Sequence, residues 1–96
     1  MDLLIIVSNP EAGAILEPLA RALGRTNTHW AIFLTNDGVK VLSDPAIVEA
    51  LGTAQHKIAC HDSWERFGEG CYCPVNLGSQ TNNSEFVGKA ARIVSL

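Results

Sequence analysis

Two short apolar runs, Leu3-Leu4-Ile5-Ile6-Val7 and Trp30-Ala31-Ile32-Phe33-Leu34, constrain this chain more than any other feature. Neither alternates with polar residues, so each suits a strand covered on both faces, as inside a parallel sheet. Parallel neighbours need a long crossover, and the segment between the runs supplies one. There Ile15, Leu16, Leu19 and Leu23 recur at helical spacing and make one apolar face, with Gly24 as a natural stop. Asn9 suits a helix cap and Pro10 a first helical position, whereas Pro18 removes a hydrogen bond and is expected to kink or delay the helix.

The pattern repeats downstream. Asp44 as N-cap, Pro45 at the first position, Ile47, Val48 and Leu51 inward and Gly52 as stop predict a second helix. Lys57-Ile58-Ala59-Cys60 reads as a third strand, and His61 to Gly68 as a capped helical turn. Residues 68–78 read as irregular, with no more than a short strand near Val75. Asn82 followed by Glu85 resembles a capping box opening a helix that carries Phe86, Val87, Ala90 and Ala91. Ile93-Val94-Ser95-Leu96 closes the chain as a strand. One segment admits two readings. Asn36-Asp37-Gly38 before Val39-Lys40-Val41 is a hairpin signal, since those residues tolerate positive φ, and it also suits a loop opening a short helix. The pattern alone favours the hairpin. Alternating strands and helices of this size predict an α/β fold with a mostly parallel sheet of four to five strands covered on both faces.

Ninety-six residues make a single domain, 1–96, near the lower limit for folding without staples. With 47% hydrophobic and 18% charged residues the chain can build a core, and other subunits are expected to cover part of its apolar surface. The net charge is −3 and the basic residues are scattered, which argues against nucleic acid as a partner. No apolar run approaches the roughly 18 residues of a membrane span. Three cysteines without a targeting signal argue for reduced thiols and a cytoplasmic location. Ser8 to Gly13 sits where a phosphate loop would lie, but it has one glycine, no lysine and an acidic residue, so no nucleotide cofactor is expected.

Cys60 carries the chemistry. A thiol between the carboxyl end of a strand and the amino end of a helix lies in the field of unpaired N–H groups, which favours the reactive thiolate. The competing reading is a small buried hydrophobe beside the sheet. Ser63 is placed to cap the turn and donate to the sulfur. His61 is a candidate proton acceptor, set against the reading of an exposed loop histidine. Asp62 would raise the thiol's pKa if it faced the sulfur and is expected to be a cap turned away. Asp37 and Gly38 stand at the end of the second strand and are candidates for the rim of the same crevice, set against the favoured reading of a turn chosen for backbone geometry. Cys71 and Cys73 flank Tyr72 at a spacing too tight for an easy disulfide or a usual zinc site. They are candidate second thiols, expected chiefly to pack a loop over the site or against another subunit, and no bound metal is expected. Trp30 and Trp64 are expected in the core or at subunit contacts.

Three stretches resemble the DsrE-like sulfur-relay family, whose members include DsrE, DsrF, DsrH, TusB, TusC and TusD. Phe33-Leu34-Thr35-Asn36-Asp37-Gly38-Val39 is similar to the family's strand ending in Asp-Gly-Val. Ile58 to Gly68 is similar to its strand, cysteine and short helix, and Ala91 to Leu96 to its closing strand. The resemblance implies a small three-layer α/β/α sandwich in which the segment after Asp37 is helical. It further implies that Cys60 accepts sulfane sulfur as a persulfide from a donor protein and passes it to an acceptor, within a homo-oligomer of trimeric or hexameric type. The rival functions are a non-catalytic oligomer subunit or small-ligand binding module, and a metal- or redox-responsive protein using all three cysteines.

Overall fold

The computed structural model describes all residues, 1–96. Its centre is a five-stranded sheet in the order β4-β3-β2-β1-β5. The strands are β1 (Leu3–Val7), β2 (Trp30–Leu34), β3 (His56–Cys60), β4 (Asn76–Gly78) and β5 (Arg92–Ser95). Every pairing is parallel, with Ile5 opposite Ile32 and Val94, and Leu34 opposite Ala59. The two continuously apolar runs are thus inner strands, and all of β2 is buried.

The helices are α1 (Gly13–Arg25), α2 (Pro45–Ala50), α3 (His61–Phe67) and α4 (Gln80–Lys89). Residues of α1 and α2, including Leu16, Ala20, Ile47 and Ala50, pack with Ile5, Val7, Ile32 and Leu34 on one face, with Trp64 and Phe67 of α3 against the same cluster. The other face is thinner. Leu4, Ala31, Phe33 and Cys60 pack there under Phe86 of α4, with Ile6, Ile58 and Ala90 partly buried beside them. One helix therefore covers that face, while three cover its opposite. Chain direction explains this: β1 to β4 progress one way across the sheet, and only the β4–α4–β5 crossover returns.

Several local expectations are corrected. The segment after β2 is a 3₁₀ helix, Asn36–Ser43, and not a hairpin. The positive φ is taken up by Asn36 alone, at 52°, and Val39, Val41 and Leu42 turn into the core. Their burial outweighs the turn preference of Asn-Asp-Gly. Gly38 is needed for a different reason: a Cβ there would lie 2.6 Å from the Val7 carbonyl oxygen, at the close approach to the end of β1. Pro18 lies inside α1 without ending it, and the helix runs past Gly24 to Arg25, followed by Thr26 as C-cap. Pro10 opens a separate 3₁₀ turn, Pro10–Ala12, capped by Asn9. Ile15 is 60% exposed, so the apolar stripe of α1 is narrower than its sequence suggests. Helix α4 begins earlier than expected. Ser79 is its N-cap and Asn82, not Glu85, completes the capping box. The short strand near Val75 falls one residue later. Trp30 is core, and its Nε1–H donates to Thr53 Oγ1 at 3.3 Å.

Candidate functional site around Cys60

Cys60 ends β3 and is the residue immediately before α3, with extended backbone at φ −60° and ψ 124°. Its register partner is Gly78 at the end of edge strand β4. A side chain at Gly78 would collide with Asn82 Oδ1 at 2.5 Å and Ile58 Cγ2 at 2.6 Å, so glycine lets the start of α4 settle close to the sheet. Asn82 Oδ1 in turn accepts the Ser79 N–H at 2.8 Å. This packing brings Gln80, the first residue of α4, to the thiol.

Burial and four neighbouring groups set the acidity of the Cys60 thiol. Burial is the largest single influence and pushes the thiol up. The Ser63 hydroxyl, the N–H groups of Ser63 and Asp62 and the Gln80 carboxamide oppose it, and together they hold the thiol below its ordinary value. The residue as a whole is only 7% exposed. Two of the neighbouring groups are themselves held. Ser63 Oγ accepts the Asn36 N–H at 2.8 Å, and Gln80 Nε2 donates to Thr35 Oγ1 at 3.1 Å. The end of β2 therefore orients both side-chain donors around a sulfur at the end of β3.

The other singled-out residues divide. Ser63 is buried beside Cys60, but it does not cap α3; its hydroxyl oxygen serves Asn36 instead. His61 is exposed, with Nδ1 3.8 Å from Asp62 and Nε2 3.4 Å from Glu65. Asp62 is turned to solvent and makes no cap. His61, Asp62 and Glu65 form the one grouping of three metal-ligating side chains, and all three are exposed. Asp37 is half-buried and Gly38 buried at the end of β2, in the same 3₁₀ helix as Asn36. Cys73 packs against the cluster on the sheet face opposite Cys60, and burial pushes its thiol up against a smaller effect of the Val75 N–H. Cys71 is exposed, and its carbonyl accepts the Trp64 Nε1–H at 2.9 Å. The three thiols are therefore not gathered into one site.

Sequence reasoning missed three contributors: Gln80, Thr35 and Asn36. Asn36 was legible only as a turn residue, and Gln80 and Thr35 meet across 45 positions. No local pattern links such residues, and only the order of strands brings them together. Cys60 also lies two strands from β1, next to which the sheet order reverses, so it occupies the carboxyl margin but not the reversal point itself. No helix is long and apolar enough to cross a membrane. Comparisons with protein-family models, curated proteins and solved structures find no match to this chain.

Proposed function

We propose that this chain is a sulfur-trafficking protein that carries sulfane sulfur as a persulfide on Cys60, in keeping with its resemblance to the DsrE-like family. The single observation that carries the reading is the thiol of Cys60, held below its ordinary value by Ser63, Asp62 and Gln80 despite burial. A carrier needs little more than a thiolate populated near neutral pH and shielded from over-oxidation. The chemistry balances without an external oxidant. The Cys60 thiolate attacks the outer sulfur of a donor persulfide, forming one S–S bond as the donor's S–S bond breaks and the donor thiolate leaves. An acceptor thiolate then attacks the outer sulfur on Cys60 and regenerates the Cys60 thiolate. Donor and acceptor are both proteins in this reading, the setting is the cytoplasm, and the carrier works within a homo-oligomer.

The 7% exposure of Cys60 favours one rival, a non-catalytic subunit or small-ligand module in which the cysteine is structural. Intact mass after incubation with polysulfide separates the two. The proposal expects a gain of one sulfur atom, lost on reduction and absent in Cys60→Ala. A folded wild-type protein that gains no more sulfur than Cys60→Ala, in which the exposed Cys71 remains, rejects it.

A further inference from the structure

Strand β5 is an open edge of the sheet. Its backbone meets β1 through alternate residues. The Arg92 N–H donates to the Asp2 carbonyl, the Leu96 N–H donates to the Ile6 carbonyl, and the Leu96 carbonyl accepts the Ser8 N–H. Residues between such partners turn their N–H and carbonyl groups to the other side of the strand, so Ile93 and Ser95 point theirs away from the sheet. The usual guards against pairing are missing, because β5 has no proline and its one charge, Arg92, stands at its first position. The other edge, β4, is only three residues long.

Three of the five exposed large apolar side chains, Ile15, Val87 and Ile93, flank this same edge. Ile93 is in register with Leu4 and so lies on the thin face, 44% exposed. On α4, Asn82 stands against Ile58 and Phe86 against His56, which sets that flank over β3. Gln80 reaches the end of β2 from the other flank, and Val87 shares that flank, turned toward β1 and β5. On the thick face Gly13, Arg21 and Gly24 of α1 abut Ile47, Glu49 and Thr53, so Ile15 lies on the flank away from α2, toward β5. The charge beside the edge is polar along the strand. Lys89 and Arg92 stand at its amino end, Glu11 follows β1 at the carboxyl end, and none of the three forms an ion pair within the chain.

We propose that β5 pairs antiparallel with β5 of a second copy across a two-fold axis at Val94, joining the two sheets edge to edge. In this register Ile93 of each copy lies opposite Ser95 of the other, so every outward N–H and carbonyl of the two residues finds a partner. Val94 meets its own counterpart as the closer, non-hydrogen-bonded pair. Antiparallel pairing also brings the basic amino end of each edge beside the acidic carboxyl end of the other, Arg92 toward Glu11. A parallel or face-to-face arrangement supplies no such match. The interface leaves Cys60 free, since β2 and β1 separate it from β5, and it holds whatever the thiol does.

Sedimentation equilibrium of the full chain tests it, with far-UV circular dichroism confirming that each variant is folded. The expected species has twice the 10.3 kDa mass of the chain. Ser95→Pro removes an outward N–H and spares the bonds to β1, and by symmetry it deletes two interface bonds; it should weaken the dimer by at least about tenfold. Ile93→Lys, a charge on an exposed edge position, should give a folded monomer. Arg92→Glu and Glu11→Arg should each weaken association, and the double variant should recover it. A wild-type chain that stays monomeric at roughly 100 μM, well above the Kd of a specific dimer, overturns the proposal. So does association that survives in folded Ser95→Pro and Ile93→Lys, or a charge-swapped double variant no tighter than its single parents.

Discussion

The hydroxyl oxygen of Ser63 accepts the backbone N–H of Asn36 at 2.8 Å, and the same side chain helps to hold the Cys60 thiol below its ordinary value. A left-handed residue at the end of one strand thus sets the rotamer of the donor that serves the next strand's terminal thiol. Ser63→Ala removes both contacts. It should leave the partly buried Asn36 N–H unpaired and destabilise the fold by about 1–3 kcal/mol. The Cys60 thiol should also titrate higher. Chemical denaturation checks the first effect and alkylation of Cys60 against pH the second. A stability loss with no change in the titration would remove Ser63 from the site.

Cys60 and Cys73 are displaced in opposite directions, the first down by its donors and the second up by burial. Alkylation by iodoacetamide, followed residue by residue, should therefore reach half its limiting rate at lower pH for Cys60 than for Cys73. The stability of the fold shares this dependence. As pH rises through the lowered folded-state value, Cys60 is a thiolate in the native protein and still a thiol in the unfolded chain. The unfolded state then binds more protons, so stability rises with pH until the ordinary thiol value is passed. It is lost as pH falls through the folded value. The stability difference between wild type and Cys60→Ala should grow across that window and stay flat below it.

Gly38 tests the packing that positions the end of β2. A Cβ there meets the Val7 carbonyl oxygen at 2.6 Å and the Ser8 Cα at 2.8 Å, both of them backbone atoms that cannot swing aside. Gly38→Ala should cost about 1–3 kcal/mol by overpacking. Gly52, where no atom lies within 4 Å of an added Cβ, provides the control. Gly52→Ala should be neutral or stabilising by up to about 1 kcal/mol. Equal effects at the two positions would contradict the close approach of the 3₁₀ helix to β1.

The parts of this fold that were legible in the sequence share one property: their signal is local and repeated. The unbroken apolar runs of β1 and β2 announced inner parallel strands, and Asp44-Pro45 announced the start of α2 because cap and proline are adjacent. The position of Cys60 between β3 and α3 was readable for the same reason. The hairpin reading of Asn36-Asp37-Gly38 failed because a local turn preference competes with burial of Val39, Val41 and Leu42. The Ser79–Asn82 box was missed because the Asn82–Glu85 pair has the same spacing, and only contact with Gly78 distinguishes the two. Of the site, the acceptor sulfur and Ser63 could be named in advance, but the donors from β2 and α4 could not. Their proximity is a property of strand order, which five short segments alone do not encode.

Gln80 has two roles at Cys60 that a single variant can pull apart. Its carboxamide lowers the thiol's pKa, and its side chain, bridged to Thr35, stands at the start of the one helix covering this sheet face. Gln80→Ala removes a donor, so the midpoint of Cys60 alkylation should move to higher pH. It also removes part of the cover over a 7% exposed thiol, so the limiting rate at high pH should increase. At that limit the thiolate is fully formed in wild type and variant alike, and the rate reports access alone. Wild-type access then reflects how often the Gln80 end of α4 opens, since Ser79 and Asn82 hold it only by a capping box. Ser79→Ala, which weakens that box by about 1 kcal/mol, should raise the limiting rate in the same direction. If neither variant raises it, the reagent reaches Cys60 by another route, and α4 is not the gate to the sulfur.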